Sequence, residues 1–145
     1  LESTDPTANW RLDIWQDVVF DIFKEGRYLT GYGYNEIFPQ MLDPTAPGRL
    51  GRDGMNEHVH NYFVNIFSRG GLIQLILFFI FHYGIIKYWK DNNQNNQILT
   101  YVVPVFLVSF LDITMEGVQF PFIYYFFLYY FLKNCTRVKV VELYG

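Results

Sequence analysis

Apolar residues dominate three stretches in the second half of the chain, at about 62–86, 98–115 and 118–133. At ~1.5 Å per residue, the first stretch would form a helix about 37 Å long, which exceeds the ~30 Å of hydrocarbon in a bilayer. The third is the shortest and would need a few flanking residues to cross. The alternative is the buried helical core of a soluble protein, but 145 residues are too few to cover three such helices on every side. The pattern therefore predicts three membrane-spanning helices.

The first half of the chain has the pattern of an amphipathic helix that runs from about Asp5 to Gly26. Asp5 is a suitable N-cap, Pro6 suits the first helical position, and Gly26 is a plausible C-terminal stop. Apolar side chains recur at three- and four-residue spacing, which predicts one buried face. That face comprises Leu12, Trp15, Val18, Val19, Ile22 and Phe23.

Composition narrows the class of protein. Charged residues make up 17% of the chain and apolar residues 51%, and residues 1–60 hold 10 of the 14 acidic but 5 of the 11 basic residues. This balance excludes a basic nucleic-acid binder, so no nucleic-acid partner is predicted. Cys135 is the single cysteine, which excludes a disulfide scaffold and a cysteine metal cluster.

Because the chain begins at Leu1 without Met or a signal-like segment, we expect it to be the C-terminal part of a longer protein.

Basic residues predict the orientation of the spans. The link at 87–97 contains two lysines and ends in an Asn/Gln run typical of a solvated connector, and the tail at 133–139 contains three basic residues. The turn at 116–117 has none, so the link and the tail should be cytoplasmic. The sequence thus predicts an all-α membrane protein fragment. Residues 1–60 would form a periplasmic loop region of a bacterial protein, and residues 61–145 would form the transmembrane helices and a cytoplasmic tail.

Two features of the first half carry candidate chemistry. Arg11 falls on the apolar side of the predicted helix, where it either packs on Trp15 with its charge extended to water or points at a buried anion. The motif Gly31-Tyr32-Gly33 is either a plain tight turn or a cradle for phosphate. The sequence of residues alone leaves both pairs of alternatives open.

The junction into the first apolar stretch is the most informative segment. His60, Asn61, Asn65 and Arg69 form a polar stripe at helical spacing, and Arg69 would lie about 12 Å inside the span. A charge at that depth must face a protein cavity or a partner. His58 and His60 alternate and cannot share one helical face, so no metal site is predicted. His60 itself is either a neutral residue at the membrane boundary or a functional one.

The order of these motifs resembles that of the O-antigen ligase/polymerase family, which are multi-pass inner-membrane proteins of bacterial surface polysaccharide synthesis. The motifs are Arg11-x-x-x-Trp15, Gly31-Tyr32-Gly33, and His60-Asn61-x-x-x-Asn65 continuing through Gly70-Gly71-Leu72. The resemblance covers about residues 9–132. One departure is Ser68-Arg69-Gly70, where many relatives carry an acidic residue before the glycine.

The resemblance implies metal-independent, cofactor-free glycosyl transfer at the periplasmic face, among membrane lipids. The implied donor is a glycan on undecaprenyl diphosphate. The acceptor is the lipid A core in ligases and another lipid-linked glycan in polymerases. Carried over by position, Arg11 would hold diphosphate and His60 would act as the base or as a group that positions the acceptor. The residues implied to support substrate binding are His58, Asn61, Arg69, Gly31 and Gly33.

A transporter or channel fragment is the competing class. In that alternative Arg69, Asp112 and Glu116 would form an intramembrane charge path. The simpler interpretation makes the two acidic residues ion-pair partners of Arg69 or Arg11.

Overall fold

The computed structural model describes residues 6–38, 59–93, 96–111, 115 and 118–144. Within these ranges the regular structure is entirely helical, which confirms the all-α prediction. The four helices are α1 (Pro6–Lys24), α2 (Tyr62–Asn93), α3 (Gln97–Leu111) and α4 (Gln119–Tyr144). Helix α2 contacts each of the other three and is the centre of the fold.

Helix α1 begins and ends close to the predicted residues because its termination signals are local. Gly26 adopts a left-handed φ of 71° and donates its N–H to Phe23, while the N–H of Arg27 bonds to Ile22. This pair of bonds is a Schellman motif, which satisfies carbonyl groups of the last turn. The predicted apolar face is only partly correct, because the buried stripe comprises Ile14, Val18 and Ile22 whereas Leu12 and Phe23 are exposed.

Helix α2 contains a sharp fold-back at Gly71, where φ is 68° and ψ is −169°. The ring of Phe63 lies 6.0 Å from that of Phe78 and 5.7 Å from that of Phe79. In a straight helix these residues would be about 22 Å apart. Residues 62–70, the first segment, therefore run back along the start of residues 72–93, the second segment.

This geometry corrects the prediction of one continuous span over 62–86. By length and apolar composition, α2 is the one helix in the described ranges that could cross a membrane. After the fold-back, its second segment of 22 residues still measures about 33 Å, which is enough for hydrocarbon. The polar stripe beginning at His60 does not run into that span, because Gly71 separates it from the second segment.

The other two predicted spans have different bounds in the structure. Helix α3 has 15 residues and is apolar but measures only about 22 Å, and α4 continues to Tyr144 through the stretch predicted to be a tail. The predicted link is also partly helical, since α2 ends at Asn93 and α3 begins at Gln97. Three membrane spans therefore stay a prediction.

Two separate clusters of buried side chains form the core. One joins the second segment, α3 and α4, and the other joins α1 to the first segment. The first cluster comprises Trp89, Ile98, Val102, Met115, Tyr124 and Leu128. The second comprises Ile14, Val18, Ile22, Phe38 and Val59. The first apolar stretch does not form a buried core, because most of its large side chains between residues 72 and 81 are exposed.

Candidate functional site

A turn formed by residues 28–33, the docking turn, inserts its backbone at the fold-back of α2. In an uninterrupted helix the N–H groups of residues 72 and 73 would donate to the carbonyls of residues 68 and 69. Here backbone groups of the docking turn bond to these N–H groups and to these carbonyls instead. Its bonds are Tyr32 N to Ser68 O (2.8 Å), Gly33 N to Arg69 O (2.8 Å), Leu72 N to Tyr28 O (2.8 Å) and Ile73 N to Leu29 O (3.3 Å). The turn thus replaces the helical hydrogen bonds that Gly71 interrupts.

Two glycines allow these backbones to approach so closely. A Cβ atom on Gly31 would lie 2.5 Å from the carbonyl carbon of Arg69 and 2.6 Å from the carbonyl oxygen of Ser68. A Cβ on Gly71 would lie 2.2 Å from backbone atoms of Leu29. Both glycines also have a positive φ, which larger residues rarely adopt. The close contact therefore explains why these two positions hold glycine.

The N–H groups of the Gly31-Tyr32-Gly33 motif are already used within the chain. Gly31 donates to the carbonyl of Arg27 at 2.7 Å, and Tyr32 and Gly33 donate to the first segment. This arrangement favours the tight-turn interpretation over a phosphate cradle. A substrate-binding role for Gly31 and Gly33 stays a prediction.

Aromatic and charged side chains pack around the docking turn. The ring of Tyr32 meets that of Phe38 edge-on at 5.7 Å, and the guanidinium of Arg27 lies 5.2 Å from the Tyr32 ring centre. Burial raises the pKa of Tyr32, and the carboxylates of Glu25 and Asp21 raise it further. The Tyr32 hydroxyl therefore stays protonated at neutral pH.

Arg69 holds the segment that follows the docking turn. Its Nη1 donates to the carbonyl of Gly33 at 3.2 Å and to the carbonyl of Glu36. Its guanidinium lies 4.1 Å from the centre of the Phe38 ring. The straight helix on which the expected depth of Arg69 rests is wrong, because Gly71 interrupts it and the docking turn binds there. The depth of Arg69 in a membrane stays a prediction. Asp112 and Glu116 lie outside the described residues, so the charge path proposed for them is untested.

Arg11 reaches from α1 to the C-terminal end of α3. Its Nη1 donates to the carbonyl of Leu111 at 3.2 Å. This end of a helix carries partial negative charge, which a cation stabilises. The Nε–H of Arg11 is buried and has no hydrogen-bond partner in the described part of the chain. Arg11 thus combines a structural bond with one buried donor for which the described residues offer no acceptor.

Asn61 connects the start of α2 to the same end of α3. Its Oδ1 accepts the N–H of Val64 at 3.0 Å, which makes it the N-cap of the first segment. Its Nδ2 donates to the carbonyl of Phe110 at 3.1 Å. Arg11 and Asn61 therefore hold two consecutive carbonyls, those of Leu111 and Phe110. The sequence indicated that these two residues belong to one site and offered Asp112, directly after α3, as an ion-pair partner of Arg11 or Arg69. It did not indicate that backbone carbonyls of α3 accept bonds from both residues.

His60 lies beside this pair in an unusual backbone conformation. It is partly buried and has a φ of 51°, in the left-handed region that residues other than glycine seldom adopt. The indole N–H of Trp15 donates to the carbonyl of Val59, so α1 is attached directly to the residue before His60. His58 lies outside the described residues. Backbone strain at a positive φ is common at functional sites, although it also accompanies ordinary turns.

The arrangement brings three of the predicted site residues to one place. Arg11 and Asn61 hold the C-terminal end of α3, and His60 directly precedes Asn61. Gly31, Gly33 and Arg69 belong to the contact between the docking turn and α2. Within the described residues no group of three or more His, Cys, Asp or Glu side chains could hold a metal ion. The site offers a guanidinium, an imidazole and an amide, which suit an anionic substrate and a proton transfer.

Comparison with known proteins agrees with the order of these motifs. The family model described as O-antigen ligase matches residues 2–79, which include α1, the docking turn, His60, Asn61 and the fold-back of α2. No curated protein and no solved structure matches the chain. Since the family model covers more than half of the 145 residues, the chain belongs to the O-antigen ligase family.

Proposed function

We propose that the chain transfers a glycan from undecaprenyl diphosphate to an acceptor hydroxyl, with Arg11 and His60 as the central residues. Membership of the O-antigen ligase family implies glycosyl transfer in polysaccharide synthesis by a membrane-associated enzyme. The donor, the membrane face and the residue roles are parts of this proposal. The buried Nε–H of Arg11, which has no acceptor in the described part of the chain, is the observation that carries it.

Arg11 supports the proposal because a diphosphate leaving group requires positive charge where negative charge develops. An arginine provides a permanent charge and several N–H donors in one plane. Arg11 uses one Nη1 bond on the carbonyl of Leu111, and its Nε–H remains for an anion. Fixed donors of this kind lower the free energy of a transition state more than mobile water molecules do. We propose that Arg11 supplies this charge without a metal ion.

His60 supports the proposal as the proton acceptor. The acceptor hydroxyl attacks the anomeric carbon, the bond from that carbon to the diphosphate oxygen breaks, and the hydroxyl proton must be taken up. Neutral imidazole accepts such a proton near physiological pH. Asn61, directly after His60, is fixed by bonds to Val64 and Phe110, which limits the movement of the histidine. His58 and Arg69 are proposed as supporting residues.

Complementation tests the reaction and separates its two versions. Strains that lack either an O-antigen ligase or an O-antigen polymerase are supplied with the protein. Restored attachment of glycan to lipid A core identifies a ligase, and restored chain length identifies a polymerase. Failure in both strains, with normal amounts of protein in the membrane, would overturn the proposed reaction.

The proposed orientation has a test of its own. We place residues 1–60 in the periplasm and the link between α2 and α3 in the cytoplasm of a multi-pass inner-membrane protein. Asn93→Cys, with Cys135 replaced to remove background, should resist a membrane-impermeant thiol reagent in intact cells and react after lysis. Labelling of Asn93→Cys in intact cells would contradict the proposed orientation.

A further inference from the structure

A buried histidine and a buried tyrosine meet away from the candidate site, where the second segment of α2 faces α4. His82 is 2% exposed and Tyr124 is 1% exposed. Their ring centres are 5.9 Å apart. His82 Nε2 and the Tyr124 hydroxyl are both buried, and neither has a hydrogen-bond partner within the described residues. Two polar atoms in an apolar interface are costly unless they bond to each other or to a third group.

The tautomer of His82 follows from its other nitrogen. Nδ1 lies 2.9 Å from the carbonyl oxygen of Phe78, which can only accept a hydrogen bond. Nδ1 of the neutral ring must therefore carry the proton, and Nε2 must present a lone pair. A phenol hydroxyl is a donor. The carbonyl of Tyr124 already accepts a bond from the hydroxyl of Tyr101 at 2.9 Å, but that bond does not use the Tyr124 hydroxyl.

We propose that the Tyr124 hydroxyl donates a hydrogen bond to His82 Nε2 and that this bond sets the rotation of α4 against α2. One partner is a donor without an acceptor, and the other is an acceptor without a donor. Both atoms are closed off from water, which favours a direct bond over a bridging water. The ring centres are 5.9 Å apart, so the two side chains are neighbours across the interface of α2 and α4.

The sequence of α4 explains why such a bond would matter. Phe122, Ile123, Phe126 and Phe127 are all apolar and are 47–69% exposed. Rotating α4 about its axis would exchange one apolar face for another at little cost. A single polar pair discriminates between such arrangements, because a rotation that places an apolar face of α4 against His82 leaves both polar atoms unpaired.

Three variants in purified, detergent-solubilised protein test the bond by the sign of their effect. If the bond exists, Tyr124→Phe should raise the unfolding equilibrium constant by about threefold, as is typical of hydrogen bonds between membrane helices. In a His82→Phe background the same change should have no further destabilising effect. If the bond is absent, Tyr124→Phe removes an unpaired hydroxyl and should leave stability unchanged or increased. That second result overturns the proposal.

Nitrogen NMR of ¹⁵N-histidine-labelled protein gives an independent measurement. The His82 resonances are identified by their loss in His82→Phe. Nδ1 should be protonated, and the Nε2 resonance should move in Tyr124→Phe. Tyr125→Phe is the matched control, because the Tyr125 ring lies 6.4 Å from His82 but its side chain is 37% exposed. An Nε2 resonance that is unchanged in Tyr124→Phe, or that moves equally in Tyr125→Phe, would also overturn the proposal.

Discussion

Around the docking turn, backbone groups of distant segments meet directly, whereas between α2, α3 and α4 aromatic side chains fill the space. We call the first region the docked unit (α1, the docking turn and residues 59–71) and the second the aromatic bundle (residues 72–144). In the docked unit four backbone bonds and two crowded glycines fix the geometry. In the bundle rings contact rings, as where Phe106 meets Phe78 at 5.6 Å.

The difference shows which region is suited to chemistry. Backbone hydrogen bonds are directional and fail when a segment shifts, so the docked unit holds its side chains in fixed positions. Apolar ring packing tolerates exchange of similar side chains, provided that volume is kept. Arg11, His60 and Asn61 lie where the docked unit meets the end of α3. We therefore expect substitutions in the docked unit to have sharper effects than equivalent ones in the bundle.

The largest effect is predicted at His60. If His60 accepts the acceptor's proton, His60→Gln should slow glycosyl transfer by ~10²–10⁴-fold while the donor still binds. The wild-type rate should fall as the pH drops through the range in which histidine takes up a proton, because a protonated ring cannot act as a base. A transfer assay with purified membranes measures both. His58→Gln is the control and should be milder; equal, small effects at both positions would remove His60 from the mechanism.

Arg11 should come next, because it contributes charge and geometry rather than a proton transfer. Arg11→Ala should reduce transfer by about 10²–10³-fold, as for the loss of a fixed donor in other active sites. Arg11→Lys keeps the charge but loses the Nε–H and the planar fork, so it should still lose much of the activity. Both variants are assayed at matched amounts of membrane protein. Full activity in Arg11→Ala would contradict a role in catalysis. The bond to the carbonyl of Leu111 would then be the remaining role of Arg11.

Glycine substitutions compare the two regions directly. Gly31→Ala places a methyl group 2.5 Å from the backbone of Arg69 and should lower the free energy of unfolding by about 2–4 kcal/mol. Gly33→Ala, with φ at 89° but open space around it, should cost about 1–2 kcal/mol. Gly84→Ala in the bundle has no atom within 4 Å of the new methyl group and should stabilise its helix by up to about 1 kcal/mol. Denaturant unfolding in detergent measures all three.

A different order among these glycines would contradict the account of docking. If Gly31→Ala were as mild as Gly84→Ala, the turn could not lie against the backbone of residues 68 and 69. The Gly33 variant separates the two causes, because it tests the left-handed backbone without the steric contact.

A loss comparable with that of Gly33→Ala is predicted for Asn61, which joins the two regions. Asn61→Ala removes both the N-cap and the bond to Phe110, and should lower the free energy of unfolding by about 1–2 kcal/mol. Asn61→Asp keeps an oxygen for the N–H of Val64 but places a buried carboxylate against the carbonyl oxygen of Phe110, so we expect a loss at least as large. Thermal unfolding of the two variants gives the comparison. A clearly smaller loss in Asn61→Asp than in Asn61→Ala would contradict the close contact between Asn61 and the carbonyl of Phe110.

The sequence predicted the elements whose signals are local. The bounds of α1 followed from Asp5-Pro6 and Gly26, and the helical character of the apolar stretches followed from their length. The fold-back was not predicted, because Gly70-Gly71 lies inside a long apolar run that reads as one helix. A glycine pair permits a reversal of the chain, but the reversal is stabilised by the docking turn, which bonds to the backbone groups beside Gly71.

The contacts of Arg11 and Asn61 with α3 could not be predicted from the sequence, and the roles of the site residues stay predictions. The order of motifs indicated that Arg11, His60 and Asn61 belong together. Their meeting point is the C-terminal end of α3, and no periodicity in the sequence relates that end to α1. Arg69 was misplaced for the same reason, since its depth was calculated along a straight helix. Contacts between residues far apart in sequence account for both errors.

The docking turn also imposes an order on folding. The bonds that complete the fold-back join residues 36 and 44 positions apart, as between Tyr32 and Ser68 and between Tyr28 and Leu72. The docking turn is synthesised before the residues to which it bonds. Until the turn binds, the backbone N–H and carbonyl groups beside Gly71 have no hydrogen-bond partners in the helix. Such groups are not tolerated in contact with lipid. The reversal of α2 and the docking of α1 should therefore form in one cooperative step, late in the synthesis of this region.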